Sequence, residues 1–243
     1  MCGRYELHSH PAAITLAFGL PDVPDIQSRY NIAPMSEVPV VRLNADAIRE
    51  VAMLRWGLVP RSAKDPSVGS RMINARGETA RERSAFRLPY RWHRCLLPAN
   101  GFYEWLHVAD NPPRKQPLHV TMRHGGLFGL AGLYERWLDP EGHVLDTCTI
   151  LTTSSNTLLQ PYGERMPVIV APEEYERWLD PHVQDVQDLV VPYPAERMTV
   201  HPVSPRVNGT RNEGPELIEP IVLHTQGDEE IACPRIPEQE SLF

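Results

Sequence analysis

Clusters of turn-forming residues interrupt the apolar stretches of this chain, so each stretch is short. Glycine and proline clusters such as His124-Gly125-Gly126 and Asp139-Pro140-Glu141-Gly142 are typical of tight turns. The intervening segments are not joined by helices in the rhythm of βαβ units. We therefore predict one α+β domain, built of mostly antiparallel, barrel-like β-sheets with a few short helices.

Three segments have the composition of short helices. Pro11–Phe18 has proline in its first turn and apolar residues at helical spacing. Residues 78–86 and 172–179 have acidic residues in their first turn, which the helix dipole favours at that end, and the second segment opens with Pro172. A further turn or two is predicted between Ser155 and Pro161. Strands are predicted over residues 38–43, 51–56, 95–105, 118–123, 127–134, 147–153, 165–170 and 198–203, with Gly125-Gly126 closing a hairpin.

Bulk composition predicts a soluble, intracellular protein, and we expect it to be cytoplasmic and monomeric. The 243 residues are 42% hydrophobic, enough for a core, and the longest apolar runs are too short to span a bilayer. Four cysteines without a CxxC pair predict neither a disulfide framework nor a metal, and no cofactor motif occurs. Residues 1–222 are predicted to form the domain. Residues 223–243, acidic and containing prolines, are predicted to be a disordered tail.

Arginine is concentrated in one segment of an acidic chain. The net charge is −7, yet residues 71–94 hold seven arginines against two glutamates, a balance of +5 that leaves −12 for the rest. Guanidinium groups match the geometry of phosphate oxygens. This clustering favours a localised face that binds a specific polyanion. The alternative is a solvated face with no partner.

The second residue of the chain is a cysteine. If Met1 is removed, Cys2 carries a thiol and an α-amine on neighbouring carbons, and this pair condenses with an aldehyde to an imine and then a thiazolidine ring. An α-amine has a pKa of about 7.7 to 8.0, so part of it is neutral near pH 7. A thiol needs a nearby cation, and Arg4 is the candidate. The alternative is that cysteine at this position is coincidental.

A glutamate lies between two large aromatic residues in Tyr103-Glu104-Trp105. In a strand, the alternation presents Glu104 on one side while Tyr103 and Trp105 pack on the other. Partial desolvation of such a carboxyl raises its pKa towards neutrality, where it can both donate and accept protons. The alternative is a glutamate that faces solvent from an edge strand.

Eight short motifs occur in a fixed order along the chain. They are Met1-Cys2-Gly3-Arg4-Tyr5, Tyr30-Asn31-Ile32-Ala33-Pro34, Trp56-Gly57-Leu58-Val59-Pro60, Ile73-Asn74-Ala75-Arg76-Gly77-Glu78-Thr79, Arg94-Cys95-Leu96-Leu97-Pro98, Gly101-Phe102-Tyr103-Glu104-Trp105, Ile150-Leu151-Thr152-Thr153 and Arg165-Met166-Pro167-Val168-Ile169. In this order they resemble the SOS response-associated peptidase family, over about residues 2–221.

The resemblance implies an activity and its residues. Proteins of that family recognise abasic sites in single-stranded DNA and crosslink to them through the N-terminal cysteine, which shields the site during the DNA damage response. By motif position, Cys2 would be the crosslinking nucleophile, Asn74 would hold the terminus or the opened sugar, and Glu104 would move protons. The resemblance also implies DNA contacts by Arg4, Arg76, Arg87 and Arg165 and a stacking surface on Trp105.

The chain departs from the family pattern at two positions. The family usually has a histidine two residues before the arginine of its Arg-Met-Pro motif, and Gly163 stands there. Proton transfer at the opened sugar, and above all reversal of the crosslink, is therefore in question; Tyr162, Glu164 or a histidine from elsewhere are the candidate substitutes. Ser62 stands where the family commonly has a second tryptophan, which would remove one base-stacking contact.

Two other functions stay open at this point. An N-terminal-nucleophile cysteine peptidase, in its mildest form removing its own Met1, needs only Cys2 and a base such as Glu104. A non-covalent module that binds single-stranded DNA needs only the arginines and aromatic residues, and Cys2 is then incidental. Peptide turnover without DNA indicates the first. A steep salt dependence of binding, with binding unchanged in Cys2→Ser and no covalent product from the wild type, indicates the second.

Overall fold

The computed structural model describes residues 2–22, 26–108 and 114–223, and strands dominate that part of the chain. The strands are β1 (Tyr5–Leu7), β2 (Arg29–Ile32), β3 (Glu37–Leu43), β4 (Arg49–Trp56), β5 (Asn74–Arg76), β6 (Arg94–Ala99), β7 (Gly101–Val108), β8 (Arg114–Met122), β9 (Phe128–Leu138), β10 (Val144–Ser154), β11 (Arg165–Pro167), β12 (Ile169–Val170) and β13 (Met198–Pro202). The α-helices are α1 (Pro11–Phe18), α2 (Gly77–Ala80), α3 (Arg87–Trp92) and α4 (Tyr175–Leu179). Short 3-10 helices lie at Pro66–Arg71, Pro172–Glu174, Gln187–Leu189, Ala195–Arg197, Pro205–Asn208 and Pro215–Leu217.

The strands form two sheets. The first has the order β13-β8-β7-β1-β2, and every pair in it is antiparallel. In the second, β10 pairs with both β4 and β9, and the pairs β4–β3, β3–β6 and β6–β9 complete a ring of five strands. Only the pairs of β10 with β4 and β5 are parallel among these described strands. The predicted α+β class with mostly antiparallel, barrel-like sheets is confirmed.

Two of the predicted helices are confirmed. Helix α1 has Pro11 at its start, ends at Gly19 in the left-handed region (φ 60°), and buries Ile14 and Phe18. The segment predicted from 172 to 179 is a 3-10 turn followed by α4, which buries Trp178. In both, an apolar side packs on the core, and this packing is what stabilises helices too short to persist alone.

The other helix predictions are wrong in extent. The helix expected over residues 78–86 ends at Ala80, because residues 81–84 are all exposed and offer no apolar side to dock. A separate helix, α3, follows and buries Pro89 and Tyr90. Between Ser155 and Pro161 the chain forms turns rather than a helix, although Asn156 Oδ1 accepts the Leu159 N–H at 3.0 Å in the manner of a cap.

The hairpin predicted at Gly125-Gly126 is also wrong. Both glycines have positive φ, 69° and 97°, as the turn signal requires. The strands on either side do not pair, however, because β8 belongs to the first sheet and β9 to the second. The turn therefore carries the chain from one sheet to the other. The next turn, with Gly142 at φ 89°, does close a hairpin between β9 and β10.

A buried polar group lies within the first sheet. Glu6 is 0% exposed and hydrogen-bonds His8 Nδ1 at 2.5 Å and His119 Nε2 at 3.3 Å. Burial favours the neutral carboxyl, but the bonds to His119 and His8 hold the pKa of Glu6 below its ordinary value. Gly101 lies against this pair, and a Cβ there would collide with His119 Nε2 and with Glu6 Oε1.

The predicted tail of residues 223–243 lies outside the described residues from 224 onward, so the boundary at 222 stays a prediction. Within the described ranges, no helix has the length and apolar composition needed to cross a bilayer.

Candidate functional site

The amino-terminal strand runs alongside the strand that carries Glu104. In the antiparallel pair of β1 and β7, Tyr5 lies opposite Phe102, and the Tyr103 N–H donates to the Arg4 carbonyl at 3.0 Å. Continuing this register towards the terminus brings Gly3 opposite Glu104. Cys2, one residue further, therefore lies beside the same stretch of β7.

Asn74 tethers the terminus from the second sheet. It begins β5, opposite Ile150 of β10, and its Nδ2 donates to the carbonyl of Cys2 at 2.7 Å. Its Oδ1 is buried and has no hydrogen-bond partner within the described part of the chain. A buried acceptor without a partner is costly, so this oxygen is available to a donor brought by a ligand or by a free amine.

The thiol of Cys2 is buried and neutral. The residue is 0% exposed, and its Sγ lies 3.9 Å from the Arg4 carbonyl. Burial raises the pKa of the thiol to about 12, and the negative charge of Glu104 adds to this effect. The sequence prediction that Arg4 activates the thiol is wrong. Arg4 Nη1 instead donates to Asn31 Oδ1 at 2.6 Å and to the Val207 carbonyl at 2.9 Å.

Glu104 lies on the core side of β7, as the alternation predicted. Phe102 and Leu106, its neighbours on that side, pack in the main hydrophobic core. Tyr103 and Trp105 pack on the other side in a smaller cluster. Glu104 is only 5% exposed, and this burial raises the pKa of its carboxyl. A carboxyl in this state can hold a proton closer to neutral pH than an exposed glutamate can.

A cleft of about 630 Å³ opens where the terminal strand ends beside β7. Its lining residues are Gly3, Arg4, Glu104, Trp105, His107, Lys115, Tyr162, Gly163 and Asn208. A Cβ built on Gly163 would lie 3.9 Å from Glu104 Oε2, which is ordinary van der Waals contact. The residue that stands in place of the family histidine is therefore next to the carboxyl that would move protons.

The predicted DNA-contacting residues are in three different situations. Arg76 is exposed two residues beyond Asn74, and Arg87 is exposed at the start of α3 and does not line the cleft. Arg165 forms a bidentate ion pair with Glu78, at 2.7 and 2.8 Å, and also donates to the Thr152 carbonyl at 2.5 Å. Its guanidinium is thus already occupied in the absence of DNA.

The arginine cluster of residues 71–94 is not entirely a surface feature. Six of its seven arginines are exposed, but Arg94 is 3% exposed. It donates to the carbonyls of Trp178 at 2.5 Å, Tyr90 at 2.9 Å and Val183 at 2.8 Å, and also to that of Asp180. Arg94 therefore joins α3 to α4 and has to be removed from the predicted basic face.

Several residues of the cleft were missed from the sequence. Asn208 accepts a hydrogen bond from Trp105 Nε1 at 2.7 Å and so fixes the indole. His107 and Lys115 lie opposite each other in the register of β7 and β8. Extending the predicted strand beyond Trp105 would have put His107 on the same side as that indole. The position of Asn208, from a distant turn, had no sequence signal.

Among the described residues, one group of possible metal ligands occurs outside the cleft. Asp139, Glu141 and His143 have ligand atoms within 4.8 Å of one another at the exposed turn between β9 and β10. His143 Nδ1 is already hydrogen-bonded to Asp139 Oδ2 at 2.7 Å. The prediction that the chain binds no metal stays a prediction.

The chain is similar to proteins of one family along most of its length. The model of the family "SOS response associated peptidase (SRAP)" matches residues 1–210. The chain is 41% identical over 225 residues to "Abasic site processing protein YoqW" of Bacillus subtilis, covering 90% of this chain and 99% of that protein. It is 32% identical over 272 residues to "Abasic site processing protein HMCES" of Mus musculus, covering 92% and 77%. A crystal structure of a Bacteroides thetaiotaomicron protein matches with a TM-score of 0.80 at 25% identity, covering 91% and 100%.

Proposed function

The chain belongs to the SOS response associated peptidase family, and from that membership we propose that it crosslinks abasic sites in single-stranded DNA through Cys2. One observation carries the proposal. Asn74 holds the carbonyl of Cys2 at 2.7 Å, at the point where the register of β1 brings the terminus beside Glu104. An amino-terminal cysteine that only started the chain would have no need of a tether from a second sheet.

The first step is imine formation. Removal of Met1 frees the α-amine of Cys2, and this amine adds to the open-chain aldehyde of the abasic sugar. Loss of one water from the addition product leaves the C=N bond. The thiol is neutral because burial raises its pKa to about 12, so the amine, whose ordinary pKa is about 7.7 to 8.0, is the better first nucleophile near neutral pH.

Glu104 is the group that moves protons in this step. Its raised pKa, caused by burial, suits a carboxyl that protonates the departing hydroxyl and afterwards accepts a proton again. The Oδ1 of Asn74, buried and without a partner in the described residues, supports a second role as acceptor for the amine N–H. Asn74 holds the Cys2 carbonyl while Glu104 lies beside the terminus in the neighbouring strand, which keeps the reacting atoms in one orientation.

The second step closes the ring. The sulfur of Cys2 forms a bond to the imine carbon, the S–H bond breaks, and the imine nitrogen gains a proton, so that no further atom is lost. The product is a five-membered thiazolidine that joins protein and DNA. Glu104 raises the thiol pKa through its own charge, and this closeness supports a proton path from sulfur through the carboxyl to nitrogen.

The DNA strand is held by cations and an aromatic surface. Arg76 is exposed beside Asn74, and the Trp105 indole is held by Asn208 at the cleft wall. Guanidinium groups bind phosphate, and an indole stacks on any base. In the free protein the Arg165 guanidinium is paired with Glu78, so Arg165 binds phosphate only if Glu78 moves aside.

A denaturing gel tests the proposal. Wild-type protein is mixed with a single-stranded oligonucleotide that carries one abasic site, and a covalent band resistant to denaturation is expected. The band should vanish in Cys2→Ala and with an oligonucleotide whose abasic aldehyde has been reduced to an alcohol. Cys95→Ala, which removes another buried thiol far from the terminus in sequence, is the matched control and should keep the band. A band of equal intensity in Cys2→Ala overturns the proposal.

A further inference from the structure

The outer end of the cleft carries two cationic or hydrogen-bonding side chains that the proposed chemistry does not use. His107 and Lys115 lie directly opposite each other on β7 and β8, and both are exposed. Both also line the cleft that contains Glu104 and Trp105. Directly opposed residues of an antiparallel pair have neighbouring side chains on one face of the sheet, so His107 and Lys115 form one local surface.

No carboxylate neutralises this surface within the described residues. The ion pairs of that part of the chain include neither Lys115 nor His107, whereas Arg42, Arg61, Arg136 and Arg165 each have an acidic partner. Among the described residues that line the cleft, Glu104 is the single carboxyl, and it is only 5% exposed. The cleft also contains Arg4, so its charge favours an anion.

The distance between His107 and the reacting terminus suits contact with a phosphate next to the abasic sugar. His107 is three residues beyond Glu104 along β7, about 10 Å at 3.3 Å per residue. Arg76 belongs to the second sheet, in β5, two residues from the Asn74 that holds Cys2, whereas Lys115 belongs to the first sheet. A strand whose abasic sugar is bonded to Cys2 continues in both directions from that sugar, so Arg76 and Lys115 can each take a different flank.

We propose that Lys115, with His107 beside it, binds a backbone phosphate that flanks the abasic site and so fixes the direction in which the single strand crosses the cleft. This rests on the proposed function for the identity of the ligand. The exposed ammonium acts through charge and hydrogen bonding to a phosphate oxygen, and it forms no covalent bond. It is a positioning residue, because it touches the strand away from the reacting sugar.

The test uses an abasic analogue without an aldehyde, tetrahydrofuran, so that binding is measured without crosslinking. Binding of a tetrahydrofuran oligonucleotide is followed by fluorescence anisotropy at several salt concentrations. Lys115→Gln is expected to reduce the slope of log K against log salt by about 0.7, the value for one phosphate of a single strand. Lys115→Arg should restore the slope. Lys64→Gln, which removes the other lysine of the chain outside the cleft, is the matched control and should equal wild type.

A set of oligonucleotides with one neutral methylphosphonate at each flanking position locates the contact. One position, on one side of the analogue, should weaken wild-type binding several-fold and leave Lys115→Gln unaffected. The proposal is overturned if Lys115→Gln keeps the wild-type slope, or if every methylphosphonate costs both proteins the same. Because the analogue cannot crosslink, these outcomes do not depend on whether Cys2 reacts.

Lysine footprinting tests the contact of Lys115 in the wild-type protein, without a substitution. The chain has only two lysines, so acetylation followed by peptide mass spectrometry reports on each separately. Bound tetrahydrofuran oligonucleotide should slow acetylation of Lys115 at least fivefold and leave Lys64 unchanged. Equal rates at Lys115 with and without the oligonucleotide contradict the proposal.

Discussion

Gly163→His introduces the side chain that the family usually has at this position, beside the carboxyl that we propose moves protons. The backbone of Gly163 is outside the positive-φ region, so a side chain causes no strain there. Its Cβ would have Glu104 Oε2 at 3.9 Å and the Arg165 carbonyl at 4.0 Å as its nearest neighbours, both at ordinary contact distance. We therefore expect the variant to fold like the wild type and to bring an imidazole next to the buried carboxyl.

The expected effect of this histidine is on rates and not on the amount of crosslink at equilibrium. A well-positioned general acid or base contributes about 10² to 10⁴ in rate. In the proposed mechanism Glu104 already supplies part of that, so we expect a gain of about 10-fold to 100-fold, which corresponds to about 1.4 to 2.7 kcal/mol in the barrier. A catalytic group lowers the barrier in both directions, so crosslink formation and reversal should accelerate by the same factor.

The assay follows both directions on denaturing gels. Formation is measured after mixing with an abasic oligonucleotide, and reversal is measured by adding an aldehyde-trapping hydroxylamine to the purified crosslink. Gly163→Ala is the matched control, because it adds the Cβ without the imidazole, and its rates should equal those of the wild type. The reasoning is refuted if the histidine and alanine variants are indistinguishable, or if the histidine speeds formation and leaves reversal unchanged.

Three further outcomes follow from the charges and hydrogen bonds of the structure. Burial raises the pKa of the Cys2 thiol to about 12, so iodoacetamide at pH 8 should alkylate Cys2 about a thousandfold more slowly in the native protein than in urea. The rate in the native protein should rise tenfold per pH unit. Native and unfolded rates within tenfold of each other contradict this. Glu78→Gln removes the carboxylate that occupies the Arg165 guanidinium, so the protein should bind a tetrahydrofuran oligonucleotide about threefold to tenfold more tightly. Weaker binding would contradict this and would show that the ion pair holds Arg165 in place for DNA. Glu6→Gln should cost about 3 kcal/mol at pH 7 in urea unfolding, because it breaks a buried pair with His119. Since the pKa of Glu6 is lowered in the folded protein, this contribution is present above the ordinary glutamate pKa and is lost as pH falls through the folded value. Wild type and variant should therefore converge in stability once the pH is below the ordinary glutamate pKa and Glu6 is protonated in the folded protein; a gap that persists there refutes the assignment.

The sequence predicted the structure correctly where a pattern and the structural feature that it determines lie within the same few residues. The alternation in Tyr103-Glu104-Trp105 predicted which side of β7 the carboxyl faces, because neighbouring residues of a strand always face opposite ways. Proline and acidic residues likewise marked the start of the segment at Pro172–Glu174. Such rules act over a few residues and need no knowledge of the rest of the chain.

Errors arose where distant segments decide the outcome. Arg4 is close to Cys2 in sequence, but its guanidinium is taken by Asn31 and by Val207, which is about two hundred residues away. The Gly125-Gly126 turn was recognised, but the sheet that each flanking strand joins depends on the partners of those strands. Tertiary contacts of this kind leave no signal in the local sequence.

The most direct measurement of the central claim is the intact mass of the crosslinked species. A thiazolidine formed by the freed Cys2 has the mass of the chain without Met1 plus that of the abasic oligonucleotide, less one water, and it should survive without borohydride. In Cys2→Ser the thiol is absent, so an adduct should be recovered only after borohydride reduces the imine. An adduct that keeps Met1, or one that maps to a residue other than Cys2, would contradict the account.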